Sequence, residues 1–264
     1  MSKKYFRFIF LTMISVLFLF PQKAAAEEEP EYDFNKKANV TIKEADCHAV
    51  SGNYTWLKYT PKSDGYLTVK VSAPEGVTEP SKGYLALYSS TKSIVLSSKS
   101  IFYNTEYSAN PYWRQIAFGL QKGRTYYIRV KGENGVKLSR TFKKVKQTSG
   151  ISREKAKKLS KNKTITAIVP AGISNTDWYK VTLTKKQRLN LYYNVKTRGS
   201  FKISIYSSKQ LIGSKNLYYT QKLRKLTLYI KTSGKKTGLD KGTYFIKVER
   251  ANSDSSGYYK LKWN

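Results

Sequence analysis

The chain has 264 residues, with 49 Lys and Arg against 17 Asp and Glu for a net charge of +32, yet 14% of it is aromatic and 22 residues are Tyr. Highly charged disordered chains are poor in aromatics, so this composition excludes simple disorder and leaves one large folded domain or two small ones. A single Cys and a single His, Cys47 and His48, exclude a disulfide framework within one chain, a Cys-rich zinc site and a multi-histidine metal centre.

Residues 1–26 read as a cleaved secretory signal peptide. Lys3, Lys4 and Arg7 precede an apolar run from Phe8 to Phe20, and Ala24-Ala25-Ala26 offer small residues to a signal peptidase. The run is shorter than the roughly 20 residues that span a bilayer, so no transmembrane anchor is expected after cleavage. Residues 27–37, opening Glu27-Glu28-Glu29-Pro30-Glu31, are expected to form an acidic, flexible N-terminus.

Beyond that point the pattern is β. In Gly65-Tyr66-Leu67-Thr68-Val69-Lys70-Val71 the apolar Leu67, Val69 and Val71 alternate with Tyr66, Thr68 and Lys70, which predicts a half-buried strand. A long connection from Ile101 to Trp113 carries aromatics among Asn, Ser and Pro. Leu120-Gln121-Lys122-Gly123 predicts a tight turn into the strand that starts at Tyr126, with Gly123 free to take a positive φ. The polar stretch from Gln147 to Ser152 is the expected boundary between a domain over 38–147 and another over 148–264. Ser152 to Leu159 is the one stretch that predicts a helix, with Ser152 as N-cap. Strands are then expected at Leu189–Val195, Phe201–Tyr206 and Leu226–Ile230.

Three patterns recur in the same order about 120 residues apart, as internal repeats do. Tyr54-Thr55-Trp56-Leu57-Lys58-Tyr59 matches Thr176-Asp177-Trp178-Tyr179-Lys180-Val181. Leu85-Ala86-Leu87-Tyr88-Ser89-Ser90 matches Ile203-Ser204-Ile205-Tyr206-Ser207-Ser208. Leu120 to Val130 matches Leu239 to Val248. The expected fold is all-β, two tandem jelly-roll-like β-sandwich domains, with Trp56 and Trp178 packed inside them.

Glu154 to Leu159, Ile165 to Val169, Asp177 to Leu183, Lys241 to Val248 and Ser256 to Leu261 together resemble the bacterial pre-peptidase C-terminal domain family, over 152–264 and more weakly over 38–145. The resemblance implies a compact β-sandwich of secreted bacterial proteins, commonly appended to peptidases or surface modules. Some relatives bind calcium through acidic loops. Here only Asp177, with Asp254 as a weaker partner, stands in such a position, while calcium wants six to eight oxygens, so no cofactor or metal is expected.

No catalytic constellation is legible. Neighbours in an extended segment, Cys47 and His48 point to opposite faces, whereas a nucleophile and its base must lie within about 3 Å. There is no Gly-x-Ser-x-Gly elbow and no patterned carboxylate pair, so the chain is read as a non-enzyme. The strongest functional signal is basic charge. Clusters at Lys143, Lys144 and Lys146, at Lys185, Lys186 and Arg188, and at Lys222, Arg224 and Lys225 are candidate contacts for a polyanion. Tyr107, Tyr112 and Trp113 are candidate ligand contacts on the aromatic loop. The partner expected for a secreted protein is an anionic cell-wall polymer or acidic glycan, with a secreted protein, such as a peptidase, as the alternative. Nucleic acid is disfavoured, since no recognised nucleic-acid fold is visible.

Overall fold

A computed structural model describes residues 29–47, 52–146, 149–232 and 235–264. The expected signal peptide, His48, and Gln147 and Thr148 at the expected boundary lie outside the described residues.

Among the described residues the first part of the chain forms nine strands: β1 (Glu31–Asp33), β2 (Asn39–Ile42), β3 (Thr55–Tyr59), β4 (Gly65–Ser72), β5 (Ser81–Tyr88), β6 (Val95–Tyr103), β7 (Gln115–Leu120), β8 (Tyr126–Gly132) and β9 (Val136–Lys144). They form a five-stranded sheet in the order β1-β3-β8-β5-β6 and a four-stranded sheet in the order β2-β9-β4-β7. Only β1 runs parallel to its neighbour. Leu67, Val69 and Val71 of β4 face Leu57, Leu85, Ile101 and Ile128 of the other sheet across one core, as period-2 alternation requires of a sandwich.

The second part repeats this order. It comprises β10 (Lys157–Lys158), β11 (Ile165–Val169), β12 (Thr176–Leu183), β13 (Leu189–Arg198), β14 (Phe201–Tyr206), β15 (Leu211–Leu217), β16 (Arg224–Leu228), β17 (Ile230–Thr232), β18 (Lys235–Thr237), β19 (Gly242–Arg250) and β20 (Ser256–Trp263). The sheets are β10-β12-β19-β14-β15 and β11-β20-β13-β16, again with the short first strand parallel to its neighbour. Strand for strand this is the order of the first sandwich, with β17 and β18 added as a separate hairpin. The pairing even slips at matching places, between Leu87 and Tyr88 and between Ile205 and Tyr206. A second core holds Val181, Leu191, Val195, Ile203, Ile246 and Leu261.

Three expectations are corrected. The N-terminal segment is not loose from Glu29 on: β1 pairs with β3, Trp56 N–H donates to the Pro30 carbonyl at 2.8 Å, and Phe34 is wholly buried in the first core. Backbone pairing and one buried ring outweigh the acidic composition that suggested flexibility. Ser152 to Leu159 forms no helix. It makes a turn and then β10, because Leu159 buries its side chain in the second core and its backbone bonds to Lys180, a tertiary gain that overrides local propensity. Finally, Trp56 and Trp178 do not enter the sandwich cores. They stand on the outer faces of the five-stranded sheets, and the next residues, Leu57 and Tyr179, point inward. There Trp56 meets Tyr88 edge to face at 5.0 Å and Trp178 meets Tyr206 at 5.6 Å, the same pair made twice.

The two sandwiches are joined by backbone as well as side chains. The Ala171 amide donates to the Gly119 carbonyl at 2.9 Å, and the Gly119 amide donates to Ser256 Oγ at 3.0 Å. Ala171, from the loop after β11, sits in the first core. A small cluster of Tyr66, Val145 and Ile168, flanked by Tyr258, fills the seam.

A candidate functional site at the seam between the sandwiches

Chain between β6 and β7 forms a short 3-10 turn, Glu106–Ala109, and one helical turn, Pro111–Arg114. Pro111 suits the first helical position, where its missing N–H costs nothing, and Asn110 caps the turn by accepting from the Tyr112 amide at 3.0 Å. The turn is cushioned by aromatic contacts. Trp113 packs edge to face on Phe102 at 5.4 Å, and Tyr112 packs on Trp113 at 4.8 Å. Tyr107 covers the outside of this stack and is 53% exposed.

Tyr112 thereby projects across the seam, where its ring meets Tyr219 of the second sandwich at 4.9 Å. Asn110 accepts from Gln221 Nε2 at 2.9 Å beside it. These contacts wall one end of an open groove of about 1040 Å³. Tyr112, Tyr218 and Tyr219 give it aromatic surface; Arg198, Lys222 and Arg224 give it positive charge; Asn216, Asn252 and Asp254 give it polar groups. Tyr218 is 63% exposed, the largest uncovered aromatic face in the groove. Apolar rings with convergent hydrogen-bonding groups and net positive charge suit a polar ligand that has flat apolar faces and negative charge, as an acidic saccharide has.

The sequence-predicted residues are thus divided. Tyr112, Lys222 and Arg224 come together in the groove, and Trp113 and Tyr107 support Tyr112 from behind. Lys225 leaves the groove and pairs across the sheet with Tyr192. Lys185, Lys186 and Arg188 are exposed at the turn from β12 to β13, where Lys186 lies 3.2 Å from Asp240. Lys144 lines a shallow pocket with Lys62 and Arg140, and Lys146 is exposed. Lys143 borders a separate cavity of about 210 Å³ beneath the seam.

Sequence reasoning missed Arg198 and, above all, Lys99. Lys99 lies on β6 at an inward position of the alternation that continues with Ile101 and Tyr103, and it is only 4% exposed. A charged residue in an apolar alternation was the available signal. Its ammonium group donates to the Tyr112 and Gln115 carbonyls and lies 3.3 Å from the centroid of the Tyr112 ring. Burial, with repulsion from Arg198, pushes its pKa down to about 7.

Asp177 is buried, with its carboxylate accepting from Ser149 Oγ at 2.6 Å and from Tyr259 OH at 2.5 Å. It faces the protein rather than a loop that could hold calcium. Among the described residues no group of three or more His, Cys, Asp or Glu is placed to hold a metal ion. Cys47 is wholly buried beside the Lys43 carbonyl at 3.3 Å, and burial raises its thiol pKa to about 11.

No family model matches the chain, and no curated protein matches it. Solved structures do. The pre-peptidase C-terminal domain of collagenase from Bacillus anthracis aligns at 11% identity and a TM-score of 0.31, covering 40% of this chain and 92% of that one. A putative secreted protein from Eubacterium rectale aligns at 12% identity and a TM-score of 0.26, covering 86% and 73%. The CBM22-1-CBM22-2 tandem domain of Paenibacillus barcinonensis Xyn10C aligns at 8% identity and a TM-score of 0.24, covering 78% and 80%. Likenesses this weak carry no argument about activity, and the architecture above rests on the strand pairing itself.

Proposed function

We propose that this protein is an exported, non-enzymatic binding module that associates with an anionic polymer of the cell envelope, a wall polymer or acidic glycan. On this reading the seam groove is the specific contact and the wider basic surface supplies long-range attraction. The observation that carries the reading is the convergence, from two sandwiches, of Tyr112, Tyr218 and Tyr219 with Arg198, Lys222 and Arg224 in one open groove. The net charge of +32 and the leader-like residues 1–26 support it.

Sedimentation with purified cell walls, before and after removal of their anionic polymers and across a salt series, tests the proposal. Binding lost on stripping and on raising salt is expected, since ion pairing at exposed groups is screened within about 10 Å at 0.1 M. The double variant Tyr218→Ala, Arg224→Ala should reduce retention at low salt by about tenfold or more, a stacking contact contributing about 0.5–1.5 kcal/mol and a charged hydrogen bond about 1.5–3 kcal/mol. Binding indifferent to stripping and to these substitutions sinks the reading.

A further inference from the structure

The 210 Å³ cavity beneath the seam has a composition unlike the groove, with which it shares only Tyr219. Strands β4, β6, β7 and β9 of the first sandwich and β13 and β20 of the second contribute to its wall. Lysines come from four of them: Lys70, Lys99, Lys143 and Lys196. No carboxylate lines it among the described residues. Thr68, Thr141 and Gln115 add hydrogen-bonding side chains, while the Thr197 hydroxyl is already spent on the Ser256 carbonyl at 2.7 Å.

Lys99 is the centre of this arrangement. An ammonium group has three donors, and two of those on Lys99 go to the Tyr112 and Gln115 carbonyls. A cation so thoroughly removed from water ordinarily acquires a carboxylate partner, because desolvation is costly without one. Among the described residues none is within ion-pair reach of Lys99. Lys196, which is half-buried, donates to neutral oxygens, the Tyr219 hydroxyl at 3.2 Å and the Gln221 carbonyl at 3.4 Å. Lys70 and Lys143 stand exposed at the rim and Lys196 is half-buried, so like charge runs from the surface to the buried Lys99 and focuses positive potential into the recess. Burial, and secondarily repulsion from Arg198, lowers the Lys99 pKa, and an anion in the cavity would raise it again.

We propose that this cavity is an oxyanion site that takes a single phosphoryl group, as free phosphate or as the terminal monoester of a polyol or sugar phosphate, held by Lys99 and Lys196. A phosphoryl group fits better than a carboxylate because its oxygens radiate in several directions. They meet ammonium donors arriving from both sandwiches as well as the hydroxyls of Thr68 and Thr141. The site does not depend on the groove: a bound anion here would tie β6 of one sandwich to β13 of the other whatever the groove holds.

Calorimetric titration of the full chain with inorganic phosphate, at ionic strength held constant with chloride, tests this. One saturable site per chain is expected. Lys99→Met and Lys196→Met should each weaken it by about tenfold or more, a charge-assisted hydrogen bond being worth about 1.5–3 kcal/mol. The groove variant Lys222→Met, Arg224→Met should leave it unchanged. Glycerol 3-phosphate binding as tightly as phosphate would assign the site to a terminal monoester; phosphate binding alone would assign it to the free ion. Absence of a single saturable site, or a site lost in the groove variant and kept in folded Lys99→Met and Lys196→Met, overturns the proposal. Wall sedimentation is read separately, so failure of envelope binding and failure of the phosphate site are distinguishable.

Discussion

The ring of Tyr66, from β4 of the first sandwich, lies on the ring of Tyr258, from β20 of the second, with centroids 3.8 Å apart and planes within 20°. Such a stack is worth about 0.5–1.5 kcal/mol beyond the area it buries, and here it closes one side of the lysine-lined cavity. Next to it the backbones approach so closely that a Cβ at Gly119 would lie 2.4 Å from the Val169 carbonyl oxygen and 2.7 Å from that of Gly257. Neither neighbour is the movable end of a side chain. Gly119→Ala is therefore expected to destabilise the seam by about 1–3 kcal/mol. Scanning calorimetry should show one transition in the parent and two in the variant; a single unshifted transition would mean that the sandwiches do not depend on this contact.

Phe34 tests the reassignment of the N-terminal segment. It is fully buried in the first core, next to β1, in a stretch whose composition predicts flexibility. Phe34→Ala should cost about 3–5 kcal/mol, the usual range for emptying a phenylalanine site. Urea unfolding measures it, and a loss below about 0.5 kcal/mol would return the segment to the solvent-exposed class.

Lys99 makes stability depend on pH in an unusual direction. Its pKa is about 7 folded and 10.5 ordinarily, so between those values the unfolded chain holds a proton that the folded chain has released. Unfolding then takes up a proton, and stability rises with pH from about 7. Cys47, raised to about 11 from 9.0, and Tyr103, raised to about 12 from 10.0, work the other way, because the folded chain keeps their protons longer. The net rise is confined to about pH 7–9. The groups around Lys99 are Tyr112 and Trp113 on the helical turn, Arg198 and Lys196 on β13, Lys70 on β4, Lys143 on β9, and Tyr66, Tyr219 and Tyr258, with no acid among them. Lys99→Met should raise the melting temperature at pH 7 and flatten the profile up to pH 9. A slope that survives the substitution would assign it to another group.

Cys47 is predicted to be inert in the native state. Burial and the raised pKa leave almost no thiolate at pH 8, and thiolate is the reactive form. Labelling by a thiol reagent should track unfolding across a urea titration, whereas rapid labelling without urea would show that Cys47 is reached without global unfolding.

Legibility in the sequence followed the physics of each residue. Leu67, Val69 and Val71 were readable because strict alternation has a single structural solution, and the matched patterns about 120 residues apart announced the two sandwiches with one strand order. The facing of Trp56 against Leu57 was not readable. Both are large and apolar, so the pattern at Thr55-Trp56-Leu57 does not say which one enters the core, and the outer aromatic cluster that receives Trp56 draws Tyr88 and Tyr127 from the distant strands β5 and β8. The turn at Ser152 to Leu159 was misread because its pairing partner, β12, lies outside the window in which propensity operates. Of the groove, Tyr112, Lys222 and Arg224 carried local signals; that they meet depends on how the sandwiches dock. The cavity was invisible for the same reason, since Lys99 and Lys196 are 97 positions apart and neither belongs to a basic run.

The backbone bond from Ala171 to Gly119 also bears on how the proposed polymer ligand would meet two sandwiches. Domains on a slack tether can wrap a chain of any pitch, and their gain from double engagement falls as the tether lengthens. Sandwiches clamped by main chain instead act as a ruler, offering their contact points at one spacing. On the proposed reading, a ligand whose charged groups recur at that spacing would engage both halves with no further loss of tether entropy, while one with another period would engage a single half.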